Sequence, residues 1–460
     1  MVKKILCLSI IAFIIFCRMA SFALDNVTQV SVSEKLLFKF NLPPAVLTAS
    51  PDGKHVAYAT RAEDGKEFVF IDGKEQKRYE GIGSNIIFSP DGKHFAYRAK
   101  TGDKQVIVVD GKEGKYYDIV GSTIVFSPDS QRVAYAARIG KSCFVVVDGK
   151  EGKYYNGGIG TTIVFSPDSK HFAYGVQSDG KQFVVVDEQE GKHYESIGDN
   201  IVFSPDGNRV AYQAQSEKKR LFIVDGQEGK SYDDIGRNFF FSPNSKQVAY
   251  IARSDNIWFA VVNGQEVKHY DGVGDNVFFS PDSNHIAYQA QSEKKRLFVI
   301  DGKEGKGYDR IGSSVSFSPD SKHVAYVAQS GNKRFVVVDG NEEKQHDTIG
   351  RFLVFSPDSK RLAYGVQSGE KRCVVVDRKE GKYYDGIGTG SIIFSPDSKH
   401  FAYISQSESK QILVINEKEI DQYDGIVALE KGTVIFDTFD SFHFLAFKDK
   451  SVFLVDVKIK

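Results

Sequence analysis

Cysteine is scarce in this sequence, which contains four cysteines among 460 residues. Two of them, Cys7 and Cys17, lie in an apolar run near the N-terminus. The other two, Cys143 and Cys373, are far apart in the sequence, so we expect no disulfide between them. Packing, and not sulfur cross-links, is therefore expected to hold the fold together. Cys373 lies in an apolar run and is predicted to be buried, whereas Cys143 aligns with polar positions and is predicted to be partly exposed.

Neither sign of charge is in excess, since the chain has 60 lysines and arginines and 60 aspartates and glutamates. Without the first 23 residues, 57 basic and 60 acidic side chains remain. Proteins that bind nucleic acids or anionic membranes carry a marked basic patch or an excess of basic residues. The composition therefore argues against a nucleic-acid partner.

Long hydrophobic runs are also missing, apart from the thirteen residues Ile5–Cys17, which follow two lysines. Small residues then permit a cut before Leu24. This layout predicts a secretory signal peptide over residues 1–23, and the run is too short for a comfortable membrane span. A retained N-terminal anchor is the alternative. We expect a periplasmic or secreted mature protein that begins with an N-terminal segment over residues 24–45.

Familiar catalytic motifs are absent as well: the sequence has no nucleophile elbow, Walker loop, dinucleotide fingerprint or His-Glu-x-x-His zinc motif. Six of its ten histidines share one position of the repeat described below: His55, His94, His171, His285, His323 and His400. Histidines on separate units of a ring lie apart, whereas a metal needs two to four converging ligands. We therefore expect no metal, no cofactor and no catalytic residue.

One short phrase is abundant. "FSPDS" begins at Phe126 and recurs along almost the whole chain, in places with Gly or Asn inside it. The serines that open "SPD" or its variant are 38 or 39 residues apart: Ser50, Ser89, Ser127, Ser166, Ser204, Ser242, Ser280, Ser318, Ser356 and Ser395. A fixed period of this length indicates a solenoid, a propeller or an array.

The content of one unit chooses among these. In the second unit, the apolar run Ile86–Phe88 leads into the tight turn Ser89–Gly92, where proline fixes φ. The run Phe95–Tyr97 follows, then Val106–Val109, an Asp-Gly hairpin signal, and a last run over Tyr116–Val120. Four short antiparallel strands in about 40 residues are the unit of a β-propeller blade. The uninterrupted apolar third strand indicates that both of its faces are covered, as in stacked blades.

The phrase "FSPDGK-x-apolar-AY", followed by a strand and an Asp-Gly turn, resembles the TolB-type, WD-repeat-like propeller repeat of exported bacterial proteins. The resemblance extends from about Val46 to Asp424. It implies an all-β propeller, and it does not carry over a role in the Tol system, because the chain lacks the separate N-terminal α/β domain of TolB. Such a likeness implies fold more strongly than function.

The repeat pattern weakens after the tenth unit. Residues 428–460 keep three apolar runs but lose the Ser-Pro turn and a fourth strand, while Glu34–Phe40 forms a spare strand before the first blade. We predict that this strand completes the last blade and closes the ring, which removes a sheet edge; packing on the outside is the alternative. Ten full blades over residues 46–427 and one composite blade make eleven. Since propellers usually have four to eight blades, one large ring is only slightly preferred over two smaller rings.

One set of residues is a candidate ligand-binding site. Each inner strand is preceded by an "[IV]-G-x-x" stretch, whose last residue is small and polar in most units and whose preceding residue varies. Because inner strands line the central channel, these residues are expected to ring one mouth of it. The set is Asn85, Thr123, Thr162, Asp199, Asn200, Arg237, Asn238, Asp275, Asn276, Ser314 and Arg351. The alternative is that these side chains only satisfy backbone groups at the strand starts.

The leading functional hypothesis is an exported, non-catalytic module that binds a protein, a peptide or a glycan, or that acts as a scaffold. The alternative is a polysaccharide-acting hydrolase or lyase with its site at the channel mouth. Catalytic residues must differ from blade to blade, yet "VAYQAQSEKKRLF" at Val210 recurs with one change at Ile286. This uniformity favours multivalent binding or scaffolding.

Overall fold

The computed structural model describes residues 29–39, 47–427, 429 and 432–460. The regular structure of these residues consists of β-strands alone, so none of them forms a helix that could cross a membrane. The strands make eleven antiparallel sheets, and the inner strands of neighbouring sheets contact one another. The sheets are therefore the blades of a β-propeller, as predicted. The predicted signal peptide, residues 1–23, lies outside the described residues.

Each blade has an inner, a second, a third and an outer strand. The inner strands of blades 1 to 9 are Leu47–Ala49, Gly81–Phe88, Ile119–Phe126, Gly158–Phe165, Ser196–Phe203, Asp234–Phe241, Gly272–Phe279, Arg310–Phe317 and Thr348–Phe355. Those of blades 10 and 11 are each in two pieces, Gly386–Ile387 with Ile393–Phe394, and Gly425–Ile426 with Ile435–Phe436. The second strands are Val56–Arg61, Phe95–Thr101, Val133–Ile139, Phe172–Ser178, Val210–Ser216, Val248–Ser254, Ile286–Ser292, Val324–Ser330, Leu362–Ser368, Phe401–Ser407 and Ser441–Lys448.

The third strands are Glu67–Ile71, Lys104–Val109, Ser142–Val147, Lys181–Val186, Lys219–Val224, Ile257–Val262, Lys295–Ile300, Lys333–Val338, Lys371–Val376, Lys410–Ile415 and Ser451–Ile459. The outer strands of blades 1 to 10 are Lys74–Glu75, Lys112–Glu113, Lys150–Glu151, Gln189–Glu190, Gln227–Tyr232, Gln265–Glu266, Lys303–Glu304, Asn341–Glu342, Lys379–Glu380 and Lys418–Tyr423. The outer strand of blade 11 comes from the other end of the chain.

Blade 11 combines both ends of the described chain. Its outer strand is the N-terminal Val30–Lys39, which pairs antiparallel with the third strand Ser451–Ile459. The predicted composite closing blade is confirmed. This pairing covers the edge that a three-stranded blade would leave open.

One buried apolar cluster occupies each junction between consecutive blades, and an eleventh joins blade 11 to blade 1. In that last cluster Leu445 packs with Val56. The buried His443 also bridges the two blades, with Nδ1 2.7 Å from the carboxylate of Asp437 and Nε2 2.6 Å from the carbonyl oxygen of Asp52. The blades therefore form one ring, and the alternative of two smaller rings is wrong.

The central alanine of the second strand lets neighbouring blades approach closely. All ten are fully buried: Ala57, Ala96, Ala134, Ala173, Ala211, Ala249, Ala287, Ala325, Ala363 and Ala402. Between blades 3 and 4, Ala134 and Val145 meet Tyr174 and Phe183 of the next blade. Burying these apolar surfaces from both sides is the main stabilising contribution to the ring.

The two cysteines within the described residues are both free thiols, as predicted. Cys143 is half-buried and Cys373 is buried. Burial raises the pKa of the Cys373 thiol to about 11. A thiol with a raised pKa in an apolar environment is a packing residue and a poor nucleophile.

The Ser-Pro-Asp phrase forms the turn between the inner and second strands. In blade 2 the Gly92 N–H donates to the Ser89 carbonyl at 2.9 Å. The Ser89 hydroxyl donates to the Asp91 carboxylate at 2.6 Å and accepts the His94 N–H at 3.0 Å. That hydroxyl lowers the pKa of Asp91 to about 2. The ten serines at this position are fully buried, which explains why the phrase recurs in every repeat.

The fifth residue of the phrase joins neighbouring blades. Ser130 has a left-handed backbone (φ 65°), and its hydroxyl accepts the N–H of Asp91 from the preceding blade at 3.0 Å. Seven junctions contain this bond. Where the fifth residue is glycine, the aspartate of the preceding blade occupies the space that the serine side chain would take. A Cβ on Gly207, for example, would lie 2.5 Å from Oδ1 of Asp168. "FSPDS" and "FSPDG" are therefore two ways to make the same junction.

One predicted strand boundary is wrong. The sequence predicts that Ile119 and Val120 end an outer strand, but they begin the next inner strand, Ile119–Phe126. The register with the second strand shifts between Val120 and Ile124, so three inner-strand residues lie opposite one residue. This β-bulge recurs in blades 2 to 9. Bulges interrupt the alternation of a strand and redirect its side chains, which is why the run looked discontinuous.

A candidate binding site at the channel mouth

The bulges position every predicted site residue. Each bulge is a glycine followed by two residues. The bulges surround one end of the central channel, and we call this end the channel mouth. In blade 5 the two residues are Asp199 and Asn200, both exposed, and in blade 9 they are Arg351 and Phe352, also exposed. The same two positions in other blades hold Asn85, Thr123, Thr162, Arg237, Asn238, Asp275, Asn276 and Ser314. The structure places these residues on one ring, and their role in binding stays a prediction.

Part of this ring joins neighbouring blades. The Thr162 hydroxyl donates to the carbonyl oxygen of Asp199 at 2.6 Å. The Asn200 amide donates to the carbonyl oxygen of Arg237 at 3.2 Å, and the Asn238 amide donates to the Asn276 side chain at 2.7 Å. Thr162, Asn200 and Asn238 therefore satisfy polar groups of the next blade, as the alternative reading of these residues expects.

The repeated histidines lie at the opposite end of the strands. The Nδ1 atom of His55 lies 2.7 Å from the carboxylate of Asp72, whose other oxygen accepts the Val56 N–H at 2.9 Å. Equivalent His-Asp pairs lie 2.6 to 2.8 Å apart in four more blades. These histidines hold the turn between the third and outer strands. No group of three or more histidine, cysteine, aspartate or glutamate side chains is placed to hold a metal among the residues described.

Arginine replaces histidine at this position in three blades and joins more groups. The Arg132 Nε donates to Asp148 at 3.0 Å, and its Nη1 donates to the Ser169 carbonyl at 3.2 Å in the next blade. Its guanidinium lies 5.1 Å from the centre of the Phe165 ring. Arg361 makes the corresponding contacts in blade 9. These arginines stabilise junctions and are not free surface charges.

A large cavity opens at the mouth across blades 8, 9 and 10. Its volume is about 1050 Å³, and three arginines line it, Arg334, Arg351 and Arg372. No carboxylate is among its lining residues. We call it the arginine cavity. It contains two of the predicted site residues, Ser314 and Arg351.

Three structural features create this cavity. The second strand of blade 9 has Gly365 at a central position, and no atom lies within 4 Å of the place where its Cβ would be. The inner strand of blade 10 is interrupted after Ile387 and resumes at Ile393. Phe352 is 50% exposed, and its ring lies 4.0 Å from the Cβ position of Gly390, so it extends from blade 9 toward blade 10.

Arg334, Arg372, Phe352 and Gly365 were not among the predicted site residues. Arg334 and Arg372 lie in third strands, which the apolar pattern assigns to the core, and Gly365 has the same sequence surroundings as Gly175. One signal was available: residue 390 is an extra glycine between the two inner-strand pieces of blade 10 and accounts for the 39-residue spacing there. An insertion in a fixed repeat indicates a local departure from it.

Comparison with known proteins finds solved structures that resemble this chain weakly. No family model matches the chain, and no curated protein matches it. A crystal structure of the eukaryotic initiation factor is 13% identical, with a TM-score of 0.41, over 67% of this chain and 89% of that one. The Dos1 propeller is 11% identical, with a TM-score of 0.34, over 65% and 92%. A putative TolB from Agrobacterium tumefaciens is 16% identical, with a TM-score of 0.26, over 43% and 84%.

Proposed function

We propose that this protein is an exported, non-catalytic propeller that binds a protein, peptide or glycan partner at the channel mouth. The observation that carries this proposal is the bulge ring, whose exposed side chains change from blade to blade while the rest of the unit repeats. Loops and bulges on a rigid scaffold commonly carry binding residues. The N-terminal pattern over residues 1–23 supports export.

The arginine cavity also supports the channel mouth as the binding face. Ligand sites are typically concave, about 300 to 1,000 Å³ in volume, and combine apolar walls with a few polar groups. The cavity of about 1050 Å³ has apolar walls that include Val327, Leu353 and Ile392, beside its three arginines. A peptide loop or an oligosaccharide would fit a space of this size.

The proposal is tested with two double variants that each remove two positive charges. Arg237→Ala with Arg351→Ala changes the mouth. Lys322→Ala with Lys360→Ala changes the opposite end, where these side chains are 78% and 81% exposed. Envelope extract is passed over each immobilised protein, and the bound partner is identified by mass spectrometry and then titrated in purified form. We expect the mouth variant to lose the partner that wild type and control retain, with the melting temperature unchanged, because exposed substitutions usually alter stability by less than about 0.5 kcal/mol.

Three outcomes would contradict the proposal. Loss of the partner in the control variant alone would move recognition to the opposite face. Turnover of a glycan or ester substrate by the purified protein would support the alternative, a polysaccharide-acting enzyme. Mass spectrometry of secreted material should find a chain starting at or near Leu24, and an intact N-terminus would contradict cleavage of a signal peptide.

A further inference from the structure

We infer that the arginine cavity binds the carboxylate or phosphate group of an anionic ligand. This inference rests on the proposed function, because it specifies the ligand chemistry of one sector of the mouth. Guanidinium groups stay charged at all physiological pH values and present forked N–H donors that match carboxylate and phosphate oxygens. Three of them around one concave space make a site for negative charge.

The three arginines concentrate positive charge around one cavity, and no carboxylate is among the residues that line it. Among the described residues, Arg334, Arg351 and Arg372 have no ion pair. Elsewhere the blades pair their charges repeatedly: Lys306, for example, lies 2.6 Å from Glu342 of the next blade. An unpaired cluster of like charge costs free energy unless a counter-ion or ligand compensates it. The arrangement is therefore better explained by a ligand than by stability.

Backbone donors add to the positive charge. At the position of Arg334 and Arg372, other blades have Glu67, Gln105, Gln182 and Gln411, whose side chains accept an N–H from the next inner strand at 2.5 to 2.9 Å. In blades 9 and 10 the corresponding N–H groups belong to Ile349 and Ile387, which line the cavity. Arginine has no acceptor, so this side-chain bond cannot form there. We expect an anion in the cavity to take the place of the missing side-chain acceptor at these two N–H groups.

The cavity walls indicate where the rest of the ligand lies. The empty space at Gly365 forms the floor, and the half-exposed ring of Phe352 lies at the rim. An aromatic face at the rim of a polar site suits the apolar face of a sugar ring or a side chain of a peptide. The ligand is therefore expected to have an anionic group inside and an apolar face beneath Phe352.

The matched variants come from the repeat itself. Arg334→Gln with Arg372→Gln introduces the residue that blades 2 and 4 already have at this position, so the fold tolerates it. Arg296→Gln is the control, because Arg296 occupies the same position in blade 7 and does not line the cavity. Calorimetric titration uses inorganic phosphate in one arm and tri-galacturonate, a carboxylated oligosaccharide, in the other, at constant ionic strength set with chloride.

We expect one arm or both to show saturable binding to wild type, and the arm that binds more tightly identifies the source of the anion. The double variant should weaken that binding at least tenfold, and Arg296→Gln less than twofold. Equal weakening by the control, or no binding beyond that of chloride in both arms, would overturn the inference.

The two proposals fail separately. If neither anion binds but the Arg237 and Arg351 variant still loses its partner, the inference falls and the proposed function stands. If an anion binds in the cavity but the Arg237 and Arg351 double variant still captures the partner as wild type does, the anion site stands and the proposed function falls.

Discussion

Two junctions of the ring begin from nearly the same sequence and end differently. Blade 4 reads "FAYGVQS" and blade 9 reads "LAYGVQS", so both have glycine at the centre of the second strand. A Cβ on Gly175 would lie 3.0 Å from Cδ1 of Ile197, and the cavity there is about 140 Å³. Gly365 has no atom within 4 Å of its Cβ position, and the cavity there is about 1050 Å³. Glycine alone does not create the larger cavity.

The difference comes from the strand that faces the glycine. The inner strand of blade 5 is continuous and its Ile197 packs onto Gly175. In blade 10 the extra Gly390, with φ 70°, turns the chain away. The Ser391 hydroxyl then donates to the Gly388 carbonyl at 2.8 Å and accepts the Ile404 N–H at 3.1 Å. One added residue opposite a glycine, together with the displaced ring of Phe352, thus opens a site in a repetitive scaffold.

The largest expected effect on stability comes from replacing each of the two glycines with valine, one at a time. Gly175→Val should destabilise the protein by about 1 to 3 kcal/mol, because its side chain must displace Ile197 in a packed junction. Gly365→Val should leave stability unchanged or raise it slightly, since it fills empty space and valine favours strands. Thermal unfolding of both variants checks this. Equal losses of melting temperature would show that the two junctions are packed alike.

Exchanging Arg372 and Gln182, which occupy the same position in the third strands of blades 9 and 4, should change the free energy of unfolding by a smaller amount. Arg372→Gln supplies an acceptor for the Ile387 N–H and should stabilise the protein by about 0.5 to 1.5 kcal/mol, the usual contribution of a hydrogen bond. Gln182→Arg removes the 2.9 Å bond to the Ile197 N–H and should cost a similar amount. Urea unfolding midpoints provide the measurement. A stabilising Gln182→Arg would contradict the assigned bond.

The turns at the other end of these junctions offer a finer test. The Ser398 hydroxyl accepts the Asp358 N–H at 2.9 Å, and Ser398 has φ 65°. Ser398→Ala loses the bond and keeps the strained backbone, so it should cost up to about 1.5 kcal/mol. Ser398→Gly loses the bond but relieves the strain, so its cost should be clearly smaller. If alanine and glycine have the same effect, the backbone conformation contributes nothing.

Acid stability should be similar at both junctions, because both contain the Ser-Asp turn. The Ser166 hydroxyl lowers the pKa of Asp168 from 3.8 to about 2, and Ser356 likewise lowers the pKa of Asp358. A depressed carboxyl pKa stabilises the fold above the unfolded pKa, and this contribution disappears as the pH falls through the folded pKa. Asp168→Asn should melt below wild type at neutral pH and approach it between pH 4 and 2. Asp358→Asn should also melt below wild type at neutral pH, and its gap should narrow as the pH falls below the usual aspartate pKa. A gap that stays constant with pH would contradict this linkage.

The sequence predicted what the repeat enforces. Proline and glycine in Ser89–Gly92 fixed the turn, the period fixed the blades, and the three-stranded remainder after residue 428 required a partner strand, which Val30–Lys39 provides. Each of these features follows from local chemistry or from a missing sheet edge.

The sequence did not predict what depends on contacts between blades. Ile119 looked like the end of one blade because the bulge after it hides the continuation of the strand. Arg372 looked like part of a core strand, and Gly365 looked equivalent to Gly175. Their surroundings depend on how far the next blade approaches, which no single repeat contains.

The pairing of Val30–Lys39 with Ser451–Ile459 means that the ring cannot close until the last strand has been synthesised. Val30–Lys39, the first of the described strands in chain order, cannot find its partner until about 420 further residues have been made. At about 5 to 20 residues per second this takes about 20 to 80 s. During that time both ends of the growing stack present unpaired strands and uncovered apolar faces, which are prone to aggregate. Ring closure is thus a late, long-range step, and a chaperone that shields the N-terminal strand would raise the yield of folded protein more than one that assists any internal blade.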